Sequence, residues 1–207
     1  MAYRLLPNHN FVLLETRSFS GACFGIVGQL VIPATHRLQE EVMKTRKSWQ
    51  EKLDDSKDLP RVRVIPNRMK AKWGGGTLLI PAPREVDEMM RRVPKGKVTT
   101  INHIRAALAR KHGATIGCPM TTGIFAWIAA NAAEEEAAAK PKARVTPYWR
   151  TLKTGGILNE KYPGGVARQK QRLKAEGHTV IKKGKHLAVA DLDISLFDFE
   201  VGAPSRA

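Results

Sequence analysis

The chain has 207 residues, with 35 Lys and Arg against 19 Asp and Glu, a net charge of +16 and a pI near 10.2. That length allows one good-sized core, or a small domain with an extension. A cationic surplus of this size points to a polyanionic partner, with nucleic acid ahead of an anionic membrane, although a generally basic soluble protein has the same signature. Cys23 and Cys118 lie too far apart in sequence for a disulfide framework or a zinc site, and the histidines form no ligand pattern, so neither metal nor cofactor is expected. The longest uncharged apolar stretch, roughly Gly21 to Ala34, is too short to span a bilayer. It lacks a basic leader region and a convincing small-residue cleavage site. A cytoplasmic protein without membrane association is therefore expected, on the nucleoid if bacterial, with export as the alternative.

Residues 1–36 carry few charges and read as an N-terminal extension, with Phe11–Leu14 and Gly28–Ile32 as strands. From His36 to about Ser56 a helix is predicted, with Leu38, Val42, Trp49 and Leu53 as apolar points, broken by Asp54, Asp55 and Ser56. Val62–Ile65 alternates with basic residues as a short strand does. Trp73-Gly74-Gly75-Gly76 precedes the apolar run Thr77–Ile80; without a following Gly-Lys-Ser/Thr it reads as a turn before a strand, not a phosphate loop. Residues 37–82 are expected to pack on the core of a domain spanning 83–190, with 191–207 as a C-terminal segment.

The signals sharpen from Pro83. Acidic Glu85, Asp87 and Glu88 open a helix that basic Arg91 and Arg92 close, matching the helix dipole. Val86, Met89, Met90 and Val93 form its buried stripe, and Pro94 ends it. A second helix is predicted over Thr100–Lys111, stopped by His112-Gly113. A third starts with Pro119 at its first position and runs to about Ala139. Thr179–Ile181 and His186–Val189, joined by Lys182-Lys183-Gly184-Lys185, read as a hairpin. Helix, turn, longer helix and a later hairpin outline a winged helix-turn-helix, so the fold class is α+β, mainly helical. From Arg84 to Lys185 there are 21 Lys and Arg against 8 Asp and Glu, which places most of the positive charge on this part.

Several segments in this region resemble one family. Val93-Pro94-Lys95-Gly96-Lys97-Val98-Thr99-Thr100 is similar to the approach to the helix-turn-helix in the 6-O-methylguanine-DNA methyltransferases. Pro147-Tyr148-Trp149-Arg150 resembles their Pro-Cys-His-Arg motif. Tyr162-Pro163-Gly164-Gly165, Lys170, Leu173 and Glu176-Gly177-His178 resemble the segment after it. The resemblance runs from Val93 to about His186. It implies double-stranded DNA as partner, with the target guanine flipped into a pocket because its alkylated oxygen is out of reach inside the stack. In the family a cysteine thiolate takes the alkyl group, helped through water by a histidine that a glutamate holds.

At the decisive place this sequence departs. Tyr148 stands at the cysteine position and Trp149 at the histidine position, so nucleophile and base are both absent and no catalytic residue is assigned. A phenol of ordinary pKa near 10 is a poor soft nucleophile at neutral pH. The pattern resembles the alkyltransferase-like branch, which binds alkylated guanine without repairing it and marks it for excision repair. That branch implies excision-repair proteins as partners, and a monomer is expected. The resemblance implies DNA contacts at Thr100, Met120, Thr121, Thr122, Gly123 and Arg150. It implies a lesion pocket of Asn131, Pro147, Tyr148, Trp149, Tyr162, Gly164, Gly165 and Glu176. Ile101 replaces a usual tyrosine, and Met120 stands at the base-replacing arginine finger, reading as core or as an apolar wedge. Glu176 reads either as a pocket residue or as a helix-end residue bonded to nearby backbone. Glu134-Glu135-Glu136 must face away from phosphates. Two other readings stay open: an active methyltransferase with Cys118 at a helix N-terminus as relocated acceptor, and a general winged-helix DNA-binding regulator.

Overall fold

The computed structural model describes residues 47–141 and 143–199. The strands expected at Phe11–Leu14 and Gly28–Ile32, the first part of the helix expected from His36, and residues 200–207 lie outside the described residues. The first described helix, α1 (Trp49–Asp54), follows non-helical Lys47 and Ser48. Ser48 is its N-cap: the Ser48 hydroxyl accepts from Glu51 N–H, and the Glu51 carboxylate accepts from Ser48 N–H. A reciprocal cap of this kind satisfies two otherwise orphaned amides and fixes where a helix begins.

Strand β1 (Arg61–Val64) pairs antiparallel with β2 (Thr77–Ile80), and the short helix α2 (Asn67–Trp73) bridges them. β2 also pairs in parallel with β4 (Ile116–Gly117), which lies in the connection between two helices. α3 (Pro83–Arg92) precedes β3 (Thr99–Thr100) and α4 (Ile101–Lys111); α5 (Pro119–Ala139) follows β4. β5 (Thr151–Leu152) pairs in parallel with β3. α6 (Gly165–Ala175), the hairpin β6 (Val180–Lys183) and β7 (His186–Val189), and the one-turn α7 (Leu192–Ser195) complete the chain. The architecture is α+β: a helix-turn-helix of α4 and α5 with a β-hairpin wing.

The main core gathers Leu53 of α1, Leu79 of β2, Val86, Met89 and Met90 of α3, Ile104 and Leu108 of α4, and Ala126, Ala129, Ala130 and Ala133 of α5. The segments before Pro83 thus share one core with the helices after it. Alanines on the buried side of α5 let it approach α3 closely. Gly117 is needed for a similar reason, because a Cβ there would lie 2.8 Å from the Arg105 carbonyl oxygen. A second apolar cluster joins Val98, Leu152, Leu158, Leu173 and Val189 beneath the wing. Buried Asp87 ties α3 to the strand-like segment after α5: the Thr146 hydroxyl donates to it at 2.5 Å and Arg91 Nε at 2.8 Å. Among the described residues, no helix is long and apolar enough to cross a membrane, and no cluster of His, Cys, Asp and Glu could hold a metal ion.

Candidate nucleic-acid interface

The residues of the Pro-Cys-His-Arg-like motif form a single 3-10 turn, Tyr148–Arg150, between buried Pro147 and β5. A strand would have sent Tyr148 and Trp149 to opposite faces. The turn instead brings their rings edge to face, 5.5 Å apart, and Tyr162 stands the same distance from Tyr148. Tyr148 is only 1% exposed. Its hydroxyl donates to Glu134 Oε1 at 2.8 Å and contacts the Pro163 carbonyl. Burial, reinforced by the Glu134 carboxylate, pushes the Tyr148 phenol up to about 12. Burial likewise raises Tyr162 well above the ordinary phenol value.

Glu134 belongs to α5 and is held by more than Tyr148. Arg172 and Arg168 of α6 pair with it at 2.8 and 2.7 Å. The Arg172 guanidinium also lies over the Trp149 ring, 4.3 Å from its centroid. The Glu134-Glu135-Glu136 run is therefore tertiary glue: Glu134 faces α6, Glu135 accepts from Gln50 N–H of α1, and Glu136 approaches Arg91 of α3. All three carboxylates are turned to other helices.

Glu176 ends α6. It accepts from the Trp149 indole N–H at 2.8 Å and from Arg150 through Nε and a terminal nitrogen, both at 2.8 Å. The side chains of Arg150 and Glu176 are 14% and 8% exposed. Burial alone would push the Glu176 carboxyl up; the Arg150 guanidinium and the indole N–H outweigh it and hold it below the usual carboxylate range. Trp149 thus supplies one donor that a histidine at its position could have supplied, but it has no nitrogen able to accept a proton.

The structure separates the residues expected at the lesion pocket. Tyr148, Tyr162 and Glu176 form a closed aromatic and ionic core, not the wall of an opening, because three rings and two ion-pair groups fill the space. Gly164 and Gly165 form the left-handed turn into α6, at φ of 74° and 60°. Asn131 donates to the Trp127 carbonyl one turn back in its own helix. Pro147, Trp149 and Arg150 line a cleft with Arg91, Arg92, Lys95 and Arg144.

The expected DNA contacts divide. Thr100 is the buried N-cap of α4, its hydroxyl within 2.7 Å of His103 Nδ1. Thr122 is buried and donates to the Cys118 carbonyl. Arg150 is turned inward to Glu176 and donates to the Val93 carbonyl at 2.7 Å. These three side chains are directed into the fold. Thr121 is half-buried, its hydroxyl enclosed. Met120 and Gly123 face outward: Met120 is 65% exposed, which rules out its reading as core, and a Cβ on Gly123 would meet nothing within 4 Å. Cys118 precedes α5 but is buried in an apolar cluster with Ile65 and Leu78.

Met120 and Gly123 belong to an open groove of about 610 Å³ that the sequence reading missed. Ile124 and Trp127 of α5 continue that wall, and Lys153, Asn159, Glu160 and Lys161 form the other. The signal was present as apolar residues 120, 124 and 127 spaced along one helix side, opposite the alanines. The Lys182-Lys183-Gly184-Lys185 tip of the wing is exposed.

No protein-family model and no curated protein sequence matches the chain. Among solved structures, the chain is similar to S. pombe Atl1 in complex with damaged DNA containing O6-carboxymethylguanine, at 20% identity over 56% of this chain and 94% of that one, with a TM-score of 0.40. It is also similar to S. pombe ATL in complex with DNA, at 21% identity over the same shares of the two chains, again with a TM-score of 0.40.

Proposed function

We propose that this protein is a non-catalytic reader of 6-O-alkylguanine in double-stranded DNA, acting as a cytoplasmic monomer and marking the lesion for excision-repair proteins. The observation that carries this reading is the sealed motif turn. Tyr148 takes the position of the nucleophile, its proton held by burial and by Glu134, and Trp149 takes the position of the base. A thiolate acceptor needs a thiol within reach of a base, and this turn offers neither. Cys118 is a poor substitute, because it packs among Ile65, Leu78, Met69 and Ile116 as a small apolar side chain.

DNA as the partner is supported by the charge of +16, by the helix-turn-helix, by the outward-facing first turn of α5, and by the lysine tip of the wing. Phosphate contacts of this kind give affinity without sequence, so lesion preference has to come from a base. The test is a binding titration at one fixed salt concentration, using duplexes identical except for one 6-O-methylguanine. Tighter binding to the methylated duplex is expected; equal affinity refutes lesion reading. Mass spectrometry of the protein after incubation should find no methyl adduct on Cys118.

A second reading, a general winged-helix DNA-binding protein, is favoured by the inward direction of Thr100, Thr122 and Arg150. It requires the same affinity for both duplexes.

A further inference from the structure

Helix α5 is apolar on two sides. One side packs Ala126, Ala129, Ala130 and Ala133 into the core. On the other, Met120, Ile124 and Trp127 are 65%, 46% and 37% exposed. A helix apolar all round is either enclosed or prepared for a partner. Gly123 leaves the middle of this stripe open, and Lys161, Lys153 and Glu160 edge the facing wall, the Glu160 carboxylate accepting from Lys153 at 3.0 Å.

Trp127 is exposed yet fixed. Trp49 of α1 meets its ring edge to face, with centroids 4.7 Å apart and an interplanar angle of 85°. α1 is in turn fastened to α5: Gln50 N–H donates to Glu135 and the Gln50 side chain donates to the Ala132 carbonyl, both at 2.8 Å. Lys52 Nζ sits 3.9 Å from the Trp49 ring centroid, closing the other side of the pair. A flat aromatic held in place loses little freedom when a second ring stacks on it.

The groove volume falls within the ~300–1,000 Å³ typical of ligand pockets. An aromatic plate beside open backbone, rimmed by lysines on a basic protein, matches the chemistry of an unstacked nucleobase with its flanking phosphates. We infer that Trp127 is the stacking platform for a base extruded from the duplex, and that Trp49 is its positioning residue. The base thereby occupies the α5 groove and not the Tyr148 site. This rests on the DNA-reading function proposed above and deepens it.

The test is a tryptophan-fluorescence titration of the full chain with four duplexes of one sequence. They carry a paired guanine, a 6-O-methylguanine, a mismatched guanine, or an abasic site at the same position. Wild-type emission should fall with the methylated and mismatched duplexes and less with the abasic one. Trp127→Leu should abolish that base-dependent quenching and weaken binding to the methylated duplex roughly ten- to hundredfold, the range of one lost base–aromatic stack. Trp127→Phe should recover part of the loss, and Trp49→Leu should fall between, with circular dichroism establishing that each variant is folded.

A folded Trp127→Leu protein that binds and quenches with every duplex as wild type does overturns the platform. Emission changes that follow protein concentration without DNA would assign the stripe to a second copy and also overturn it. If wild type ignores the methyl group while Trp127→Leu still loses the base-dependent quenching, the lesion reading fails and the platform stands.

Discussion

Two neighbouring regions share α5 and the stretch after it, yet they are built in opposite ways. At Tyr148 the phenol hydroxyl, the Trp149 indole N–H and the Arg150 guanidinium all have partners, and the rings are packed edge to face. Along Met120, Gly123, Ile124 and Trp127 apolar surface is left in water beside lysines. The first arrangement suits stability, because a satisfied buried network specifies one packing. The second carries a cost in isolation, which only a partner removes. A motif position is therefore a poor guide to where a ligand goes once its side chains have been exchanged. Tyrosine and tryptophan rings fill the space at this turn, and the groove along α5 is the part left open.

The contrast yields graded predictions. Tyr148→Ala removes a buried ring and should destabilise the fold by about 3–5 kcal/mol in urea denaturation. Tyr148→Phe keeps the ring and removes one hydrogen bond to Glu134, which retains Arg168 and Arg172; about 1 kcal/mol is expected. Neither change should alter the preference for methylated over plain DNA in folded protein. A tenfold loss of that preference in Tyr148→Phe would break the contrast, since it would make the closed core a reader.

Glu176→Ala leaves Arg150 and the indole N–H unpaired in a largely buried place, and should cost about 3 kcal/mol. The same carboxylate fixes an acid dependence. Its folded pKa lies below the ordinary 4.5, so its contribution is complete above that value and is lost as pH falls through the folded pKa. His178 is shifted below its ordinary 6.5 by burial, so it begins to destabilise the fold once pH drops beneath 6.5. Thermal melts from pH 7 to pH 3 should show both slopes, and the Glu176→Gln variant should have a shallower acidic one, the lowered Glu85 carboxyl keeping its share.

At the open surface the expected effects are on binding. Replacing Lys182, Lys183 and Lys185 with alanine should leave stability unchanged and weaken methylated and plain duplexes alike. The slope of log affinity against log salt should shrink by up to about 2.7. An effect confined to the methylated duplex would move lesion reading to the wing. The smallest expected change is Gly123→Ala. Its Cβ meets open space and no positive φ is involved, so about 0.5–1 kcal/mol of added stability is expected from the helix backbone, with severalfold weaker DNA binding if DNA backbone approaches there. Added stability with unchanged affinity would place the DNA elsewhere.

Most of the scaffold was legible because its signals are local. Val86, Met89, Met90 and Val93 announce α3, Pro119 announces α5, and paired apolar runs around Gly184 announce the wing. α2 went unread because Asn67–Trp73 is short, lysine-rich and has no buried residue. The parallel pairing of Thr99–Thr100 with Thr151–Leu152 went unread because two residues carry no periodicity and the pairing is set by tertiary packing. At the site, the presence of Tyr148 and Trp149 at the positions resembling cysteine and histidine of the Pro-Cys-His-Arg motif was legible from residue type alone. That Trp149 and Arg150 converge on Glu176 was not, since it depends on a 3-10 turn that no local residue pattern announces. Trp127 was overlooked because α5 was read for its buried side only, and Trp49 lies outside the segment that carries the family resemblance.

The three glutamates near the end of α5 have one more consequence. The carboxyl end of a helix bears partial negative charge, so acidic side chains in the last turns oppose it by roughly 0.3–1 kcal/mol each. Taken alone, Glu134-Glu135-Glu136 would fray the helix. They are held because each meets a different neighbour: the arginines of α6, the amide of Gln50 in α1, and Arg91 of α3. The final third of α5 is therefore helical conditionally. Its length records whether three other helices have docked, and a chain that lost any one of them would shorten the very element that presents Trp127 to its surroundings.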